Sequence, residues 1–540
     1  MDTALGAGDL LLLASIATPD ARFDTGTKTV PFQEVVTQDR ALMLAAPKAA
    51  RVTTIYSFEL KGDTALVGTR SVTALTRDKV RELRSVLSAD TWVRIDGGWR
   101  LNQSKRFRME ELPPLDSPET SRAVAAELRK LAVPLSGVEA GNPIQDLEAF
   151  GKAVGDVRVV SFGGASHGTR EVFQLKHRLL EYLVKVKGFT VFAIEANWPE
   201  SEAADRYIKT GAGDPKAALA AMYFWNLQTE EVLAMLEWMR DFNTAPGDHP
   251  ILTFTSFDMQ KHQVAQERVL EYVKRTVPLE LAAVESAYTV IDDLIGKGVR
   301  GAGFEDAAKK AEDVVRHMES RRDVFVKASS AAALRNALQM ARIVVQTTRR
   351  RVGAGPGWTG GSYRDQMMAR NVMWLLNEAH PNEKIVLWSH NTHTSKSHGT
   401  GRDSEYRPMG SWLHESLGSQ LYVLGFAINQ GVYRANVFEG GRRIGLSEVR
   451  IPKAEEGTGT PTLSSVGIPL FFLNLRNQSG VAGKWLSQPH LFRGFGAGWD
   501  VDWSRSPYSN MESTELIGAY DGLIYLERTT AARGLPYKFE

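Results

Sequence analysis

Four side chains in this chain carry the chemistry: His167, Glu195, His390 and His393. His167 follows the β-rich apolar run VRVVSFGGAS and precedes Gly168-Thr169, where a helix should begin. The positive end of a helix dipole favours a neutral imidazole, and a neutral imidazole can take a proton from water. Its starting pKa is the ordinary histidine value of about 6.5. Glu195 ends a second strand-like run in AIEANWPES, where its carboxylate can orient His167 or hold its charge. His390 and His393 stand three apart just past KIVLWS, where a histidine can stabilise an oxyanion or protonate a leaving alkoxide. Singly, each is more often a structural histidine. Jointly they indicate a site, because open α/β sheets bind ligands beyond the carboxyl ends of their strands.

Other machineries fit less well. The four residues could ligate zinc, but they come from three strands without a compact motif such as HExxH, and the reading here assigns neither metal nor cofactor. No G-x-S-x-G elbow is present, and Ser166 points away from its neighbour His167. The loops at Gly211 and Gly353 lack the P-loop lysine.

The elements that must position these residues follow from pattern. At 540 residues the chain is long enough for two or three domains. Its 43% hydrophobic and 24% charged content is that of a water-soluble globular protein. With 65 Lys and Arg against 63 Asp and Glu, nothing electrostatic points to nucleic acid or an anionic membrane. The absence of cysteine removes disulfides, thiolate metal sites and cysteine nucleophiles. The apolar run at 10–17 is too short for a bilayer span and lacks a basic flank, so the chain as written has no export signal and reads as cytoplasmic. The abrupt start leaves room for a lost upstream segment.

Residues 1–109 alternate apolar and polar in strand fashion, with Asp96-Gly97-Gly98 as a hairpin turn and no histidine. A proline-rich linker follows at 110–120, and 121–540 alternates strands with helices in the manner of a mainly parallel sheet. Short buried strands are expected at 157–163, 189–195, 251–257, 384–389 and 420–426. A crossover needs about a dozen residues, so the much longer stretch before the fourth of these should form a helical cap, about 262–350. The glycine-rich loop 353–361 sits where a gate would be placed.

Two resemblances can be read. LLLLASIATPDARF, ELKGDTALVGTRSV and WVRIDGGWRLNQSKR resemble the nuclear transport factor 2-like (SnoaL-type) cone fold, which implies a binding, dimerising or structural module; a homodimer through this part is compatible with it. The segments GGASHGTREVFQLKHRLLEYLVKVKGFTVFAIEAN, SFDMQ, YRDQMMARNVMWLL, IVLWSHNTH, PMGSWLHESLG and YDGLIYLERTTAA resemble the erythromycin esterase family in that family's order, over about 142–532. The resemblance implies an α/β sheet with an added helical part, hydrolysis of a macrolactone ester in the antibiotic-inactivating members, and a histidine base that activates water without an acyl-enzyme. It places the base on His167, the strand-end glutamate on Glu195 and the paired histidines on His390 and His393. Lys176 stands where the antibiotic-inactivating members have arginine, with Arg178 close by, and Arg364-Asp365 match an Arg-Asp pair. Three residues before His167, the family's glutamate is replaced by Gly164.

The sequence therefore predicts an α/β fold with a helical cap, preceded by an α+β cone-shaped domain. It predicts a carboxylic ester hydrolase acting on an ester or lactone of a bulky, mostly apolar molecule. Catalysis falls to His167, Glu195 and His390, and substrate binding to Arg170, Lys176, Arg178, Asn197, Trp198, Asp258, Arg364 and His393. Loss of the acid at Gly164 also admits a non-catalytic ligand-binding protein on the same scaffold, and the histidines admit a metallohydrolase.

Overall fold

The structure is a computed structural model that describes residues 15–25, 28–45, 50–77, 80–353, 359–397, 406–505, 508 and 510–536. Two sheets organise it. The first comprises β1 (Ala17–Asp24), β2 (Thr29–Pro31), β3 (Ala50–Lys61), β4 (Thr64–Arg77), β5 (Val80–Ile95) and β6 (Gly98–Glu111), in the order β2-β1-β6-β5-β4-β3. It is antiparallel except for the β1–β6 pair. The turn at Asp96-Gly97 adopts positive φ at both residues, as a tight hairpin requires. The helix Phe32–Ala45 lays Phe32, Val35 and Val36 on Phe23, Val30 and Leu101, giving this part its own small core.

The second sheet opens with the short β7 (Val133–Pro134). It continues through β8 (Val159–Phe162), β9 (Phe189–Asn197), β10 (Thr253–Asp258), β11 (Lys384–Trp388) and β12 (Leu421–Glu439). β13 (Arg442–Ile451) and β14 (Leu470–Asn474) follow, then β15 (Pro489–Arg493), which belongs to a separate hairpin, and β16 (Gly498–Asp500). β17 (Met511–Glu515) pairs β15 antiparallel, and β18 (Gly522–Thr529) returns to the sheet. Its path is β10-β9-β11-β8-β12-β18-β14-β7, with β10 to β12 all parallel. Both faces are covered, so the central strands read as continuous apolar runs. Alternate residues serve opposite cores: Val159, Val191, Ala193, Ile385 and Leu387 join one cluster, and Val160, Phe192, Ile194, Val386 and Trp388 the other.

Strand order creates the place for a site. From β8 the chain crosses over β11 to β9 through the helix Arg170–Lys187, whose Val172, Leu175 and Leu179 lie in the second cluster. From β11 it crosses over β8 to β12 through the helix Met409–Leu417, whose Met409 and Leu413 lie in the first. Adjacent strands β8 and β11 thus send their connections in opposite directions on opposite faces, which opens a crevice at their carboxyl ends.

All five expected strands are present, though β12 runs on to Glu439. The expected cap is a set of helices spanning Gln263–Thr276, Leu281–Gly296, Glu305–Ser320, Arg322–Ala328 and Ala331–Val352. The glycine-rich stretch read as a gate lies mostly outside the described residues. Among these residues no helix is long and apolar enough to cross a membrane.

The two sheets meet at the β15–β17 hairpin. Leu491, Tyr508 and Met511 share a cluster with Val72, Ala74 and Leu83, and Arg70 donates to the Met511 carbonyl at 3.3 Å. Between them, Trp485 Nε1 holds Asp116 at 2.7 Å. We expect residues 112–540 expressed alone to melt cooperatively at a lower Tm than the full chain, because the large core is complete without the first sheet but three apolar side chains lose their cover. An insoluble or molten fragment in calorimetry would show one indivisible cooperative unit.

Candidate active site

His167 and His390, which follow β8 and β11, meet at the crevice. Their rings stack with centroids 4.9 Å apart and planes 10° from parallel. The local sequence explains how they arrive there. Asn391 brackets the two strand ends: its Oδ1 accepts from Gly164 N at 2.8 Å, its Nδ2 donates to the Phe426 carbonyl at 2.7 Å, and its own N–H donates to the Gly164 carbonyl. Gly168 must be glycine, since a Cβ would lie 2.0 Å from the Arg434 carbonyl oxygen.

Arg364, on the helix Thr359–Trp374, is the hub beneath the pair. Its guanidinium forks onto Asp258 at 2.6 and 3.1 Å, donates to Glu195 Oε1 at 2.8 Å and reaches His393 Nε2 at 3.0 Å. The side chains of Arg364, Glu195 and Asp258 are 12, 10 and 0% exposed, so the charges neutralise one another away from water. Burial alone would raise the carboxyl of Glu195, but the charges of His393, Arg364 and His167 hold it well below the carboxylate range. Burial opposes the ionised form of Asp258 too, and Arg364 again wins.

Two influences compete at His393. Burial lowers its pKa, but Asp365 and Glu195 lift it above the ordinary value against the charge of Arg364. Its Nδ1 hydrogen is donated to Asp365 Oδ1 at 2.8 Å, and its Nε2 lies 3.4 Å from Glu195 Oε1. Tyr406 donates to the other Asp365 oxygen at 2.8 Å and fixes that carboxylate.

The two stacked imidazoles are both pushed toward the neutral form. Burial, assisted by the charges of His393, Lys176 and Arg364, brings His167 down to about 4 against the pull of Glu195. This differs from the ordinary value expected from the sequence, because the packing around the ring disfavours its charged form. Burial drives His390 well below the histidine range as well. His390 Nδ1 accepts from Thr392 N–H at 3.3 Å, which leaves the hydrogen on Nε2. Its backbone N–H donates to Glu195 Oε2 at 3.2 Å.

Glu195 therefore does not hydrogen-bond His167; it acts on that ring through its charge. The partner of His167 Nδ1 is Asn226, whose amide nitrogen lies 3.1 Å away. Neither Asn226 nor Tyr406 was legible as a site residue in the sequence, since each comes from a loop without any pattern.

Lys176 lies on the crevice side of the helix Arg170–Lys187, 1% exposed, with Nζ donating to the Ser389 carbonyl at 3.0 Å and lying 4.3 Å over the Trp388 ring. Burial pushes its amine well below the ordinary lysine value. A Cβ on Gly164 would lie 3.0 Å from that nitrogen, and Gly164 is not among the positive-φ glycines.

The other expected binding residues are placed elsewhere. Arg178, two residues from Lys176, faces nearly the opposite side of the helix and grips Asp146 at 2.6 and 3.1 Å. Arg170 pairs with Glu231 at 3.4 Å. Asn197 Oδ1 accepts from the backbone of Gln260 and Lys261, and Trp198 packs edge-on against Trp374 in the core. These four shape the walls around the crevice or its supports; Asp258, Arg364, His393 and Lys176 belong to the cluster. Among the described residues no three His, Asp or Glu side chains are arranged to hold a metal ion.

A mainly parallel sheet with a buried His–Glu–Arg cluster at its switch point defines an α/β protein. The chain belongs to the erythromycin esterase family, which matches residues 184–529. Erythromycin esterase type II of Escherichia coli is 22% identical over 414 residues, covering 72% of this chain and 93% of that protein. The fold is shared with a Bacillus cereus protein of known crystal structure, at 23% identity and TM-score 0.67, covering 77% of this chain and 99% of that one. It is shared too with an erythromycin esterase mutant crystallised in an open conformation, at 17% identity and TM-score 0.58, covering 74% and 96%.

Replacing Arg364 by Met should cost about 3–5 kcal/mol, because two buried carboxylates lose their counter-charge. The loss should shrink as pH falls. Without Arg364, burial raises the carboxyls of Glu195 and Asp258, so in the variant they shed their charge by taking up protons as pH falls, whereas the wild type, whose carboxyls are held below the ordinary range, keeps its stability until the pH falls below that range. Urea unfolding at pH 7.5 and pH 4.5 measures both effects; equal stability of variant and wild type at pH 7.5 would contradict the hub.

Proposed function

We propose that this chain hydrolyses an ester or lactone of a bulky, mostly apolar molecule, with water activated by His167 and no acyl-enzyme. The observation that carries the reading is the stacked pair of neutral imidazoles beside a Glu195 held ionised by Arg364. One ring can accept a proton and the other can donate a hydrogen bond. Membership of a family of hydrolases supports it.

In the reaction a water oxygen attacks the carbonyl carbon while His167 Nε2 accepts the water proton. The nearby Glu195 charge favours the imidazolium that forms. His390 Nε2–H donates to the oxyanion, and the proton on His167 passes to the departing alkoxide. For Nε2 to carry the lone pair, Nδ1 must carry the hydrogen. A half-turn of the Asn226 amide, which exchanges two atoms of equal size, sets its carbonyl against that Nδ1–H. Arg364, Asp258, Asp365 and His393 hold the parts in place.

His167→Ala should lower kcat/KM for any good ester by about 10² to 10⁴ with the melt unchanged. With the base depressed to about 4, the wild-type rate should be nearly level from pH 6 to 8 and fall only towards pH 4. A variant with near-normal turnover would end the proposal.

The second reading, a binding protein that has lost hydrolysis, is favoured by Gly164 next to a buried lysine that makes no ion pair among the described residues. Gly164→Glu separates the two. Its backbone φ accepts a side chain, and the Lys176 amine lies 3.0 Å from where the Cβ would stand, so the new carboxylate is placed to pair with that amine. A stable variant with higher kcat on a model ester or macrolide supports missing catalytic equipment. A stable variant with unchanged or lower kcat means that the site serves its substrate or ligand without that acid.

A further inference from the structure

Along the outer edge of β10, where the path of the second sheet begins, runs an open groove of about 510 Å³. That volume lies within the roughly 300–1,000 Å³ of small-molecule sites. Helices wall it. Glu202, Asp205 and Lys209 on the helix Glu202–Thr210, and Arg268, Tyr272 and Arg275 on the helix Gln263–Thr276, are spaced three and four apart, so each helix turns one face to the groove. An edge strand leaves backbone groups unpaired unless something covers them. Here the Phe254 N–H donates to Asp205 Oδ1 at 3.0 Å. The carbonyl of a strand residue points to the same side as its N–H, so Phe254 turns an acceptor that way as well.

The wall charges pair off with one exception. Asp205 takes Lys209 at 2.9 Å and Glu202 takes Arg268 at 2.8 Å. Arg275, two turns beyond Arg268 on the same face, makes no ion pair or hydrogen bond among the described residues. Burial holds the His380 imidazole on the wall below the ordinary histidine value, so it adds a neutral ring and not a second charge. The rest is largely apolar and aromatic. Trp198 and Trp374 meet edge-on with centroids 5.1 Å apart, and Tyr272 and Met340 line the groove with them. A π-helical turn, Leu375–Ala379, contributes Leu375 and Ala379 to the wall. Such turns recur at functional sites.

We propose that this groove is a second binding site, and that it takes a small aromatic monocarboxylate. The ring lies against Trp198, Trp374 and Tyr272, where edge and face contacts between aromatic groups add to apolar burial. The carboxylate meets the Arg275 guanidinium, the one charge the walls leave uncompensated. None of His167, Glu195, His390 and His393 lines the groove, so the inference is independent of the hydrolase reading. Trp374 ends the helix that carries Arg364, and β10 ends in Asp258, so a ligand here rests on two elements of the buried hub.

The test is equilibrium dialysis of the full-length protein against 2-naphthoate and against its uncharged counterpart, 2-naphthamide. The carboxylate should bind at least about threefold more tightly than the amide, as a partly exposed ion pair allows. Arg275→Met should remove that difference and leave the amide unchanged. Ala333→Trp, at a half-buried wall position, should abolish binding of both probes. If its melt is lowered, Asn336→Trp at an exposed wall position gives the same readout. Binding lost on filling the groove, with the carboxylate preference lost in Arg275→Met, sustains the site. No binding of 2-naphthoate at millimolar concentration, binding untouched in the filled variants, equal affinity for the two probes, or a preference that survives Arg275→Met overturns it.

Discussion

Everything at the crevice depends on keeping one guanidinium, Arg364, charged among carboxylates away from water. It ties together β9 through Glu195, β10 through Asp258 and the loop after β11 through His393, from a helix that belongs to none of those strands. Desolvating each of these charges alone would be prohibitive. Taken together they compensate, and the geometry that compensation demands is the geometry of the site. Once Glu195 is committed to Arg364 and to the His390 backbone, it can influence His167 only through space. That leaves the His167 ring toward its neutral form and its Nδ1 to the Asn226 amide.

The second constraint is topological. β8 and β11 lie side by side although more than two hundred residues separate them, and their connections diverge to opposite faces. The crevice follows from that divergence, and the short turns after both strands aim a histidine into it. Close backbone approach at Gly168 and the Asn391 bracket leave those turns little freedom. The side chain absent at Gly164 and the buried Lys176 amine form one local unit, since the amine lies where a larger side chain would begin. The first sheet is bound into this arrangement through the β15–β17 hairpin, one face of which rests on it while the other closes a cavity beside His390.

Much of this was legible in the sequence. Period and turn residues located the five parallel strands, the helical cap and the antiparallel first part, because buried parallel strands and amphipathic helices impose their patterns on a single chain. Residue type and strand-end position singled out His167, Glu195, His390 and His393, and the family motifs added Asp258, Arg364 and Lys176. Tertiary structure alone decided which of these touch. Arg178 and Lys176 are two residues apart and equally basic, yet helical rotation sends one to Asp146 and the other to the crevice. Asn226 and Tyr406 became partners of the site only because loops without periodic pattern happen to return to it. The pKa values of His167 and Lys176 were likewise beyond reach, since desolvation depends on what packs around a group in space and not on its neighbours along the chain.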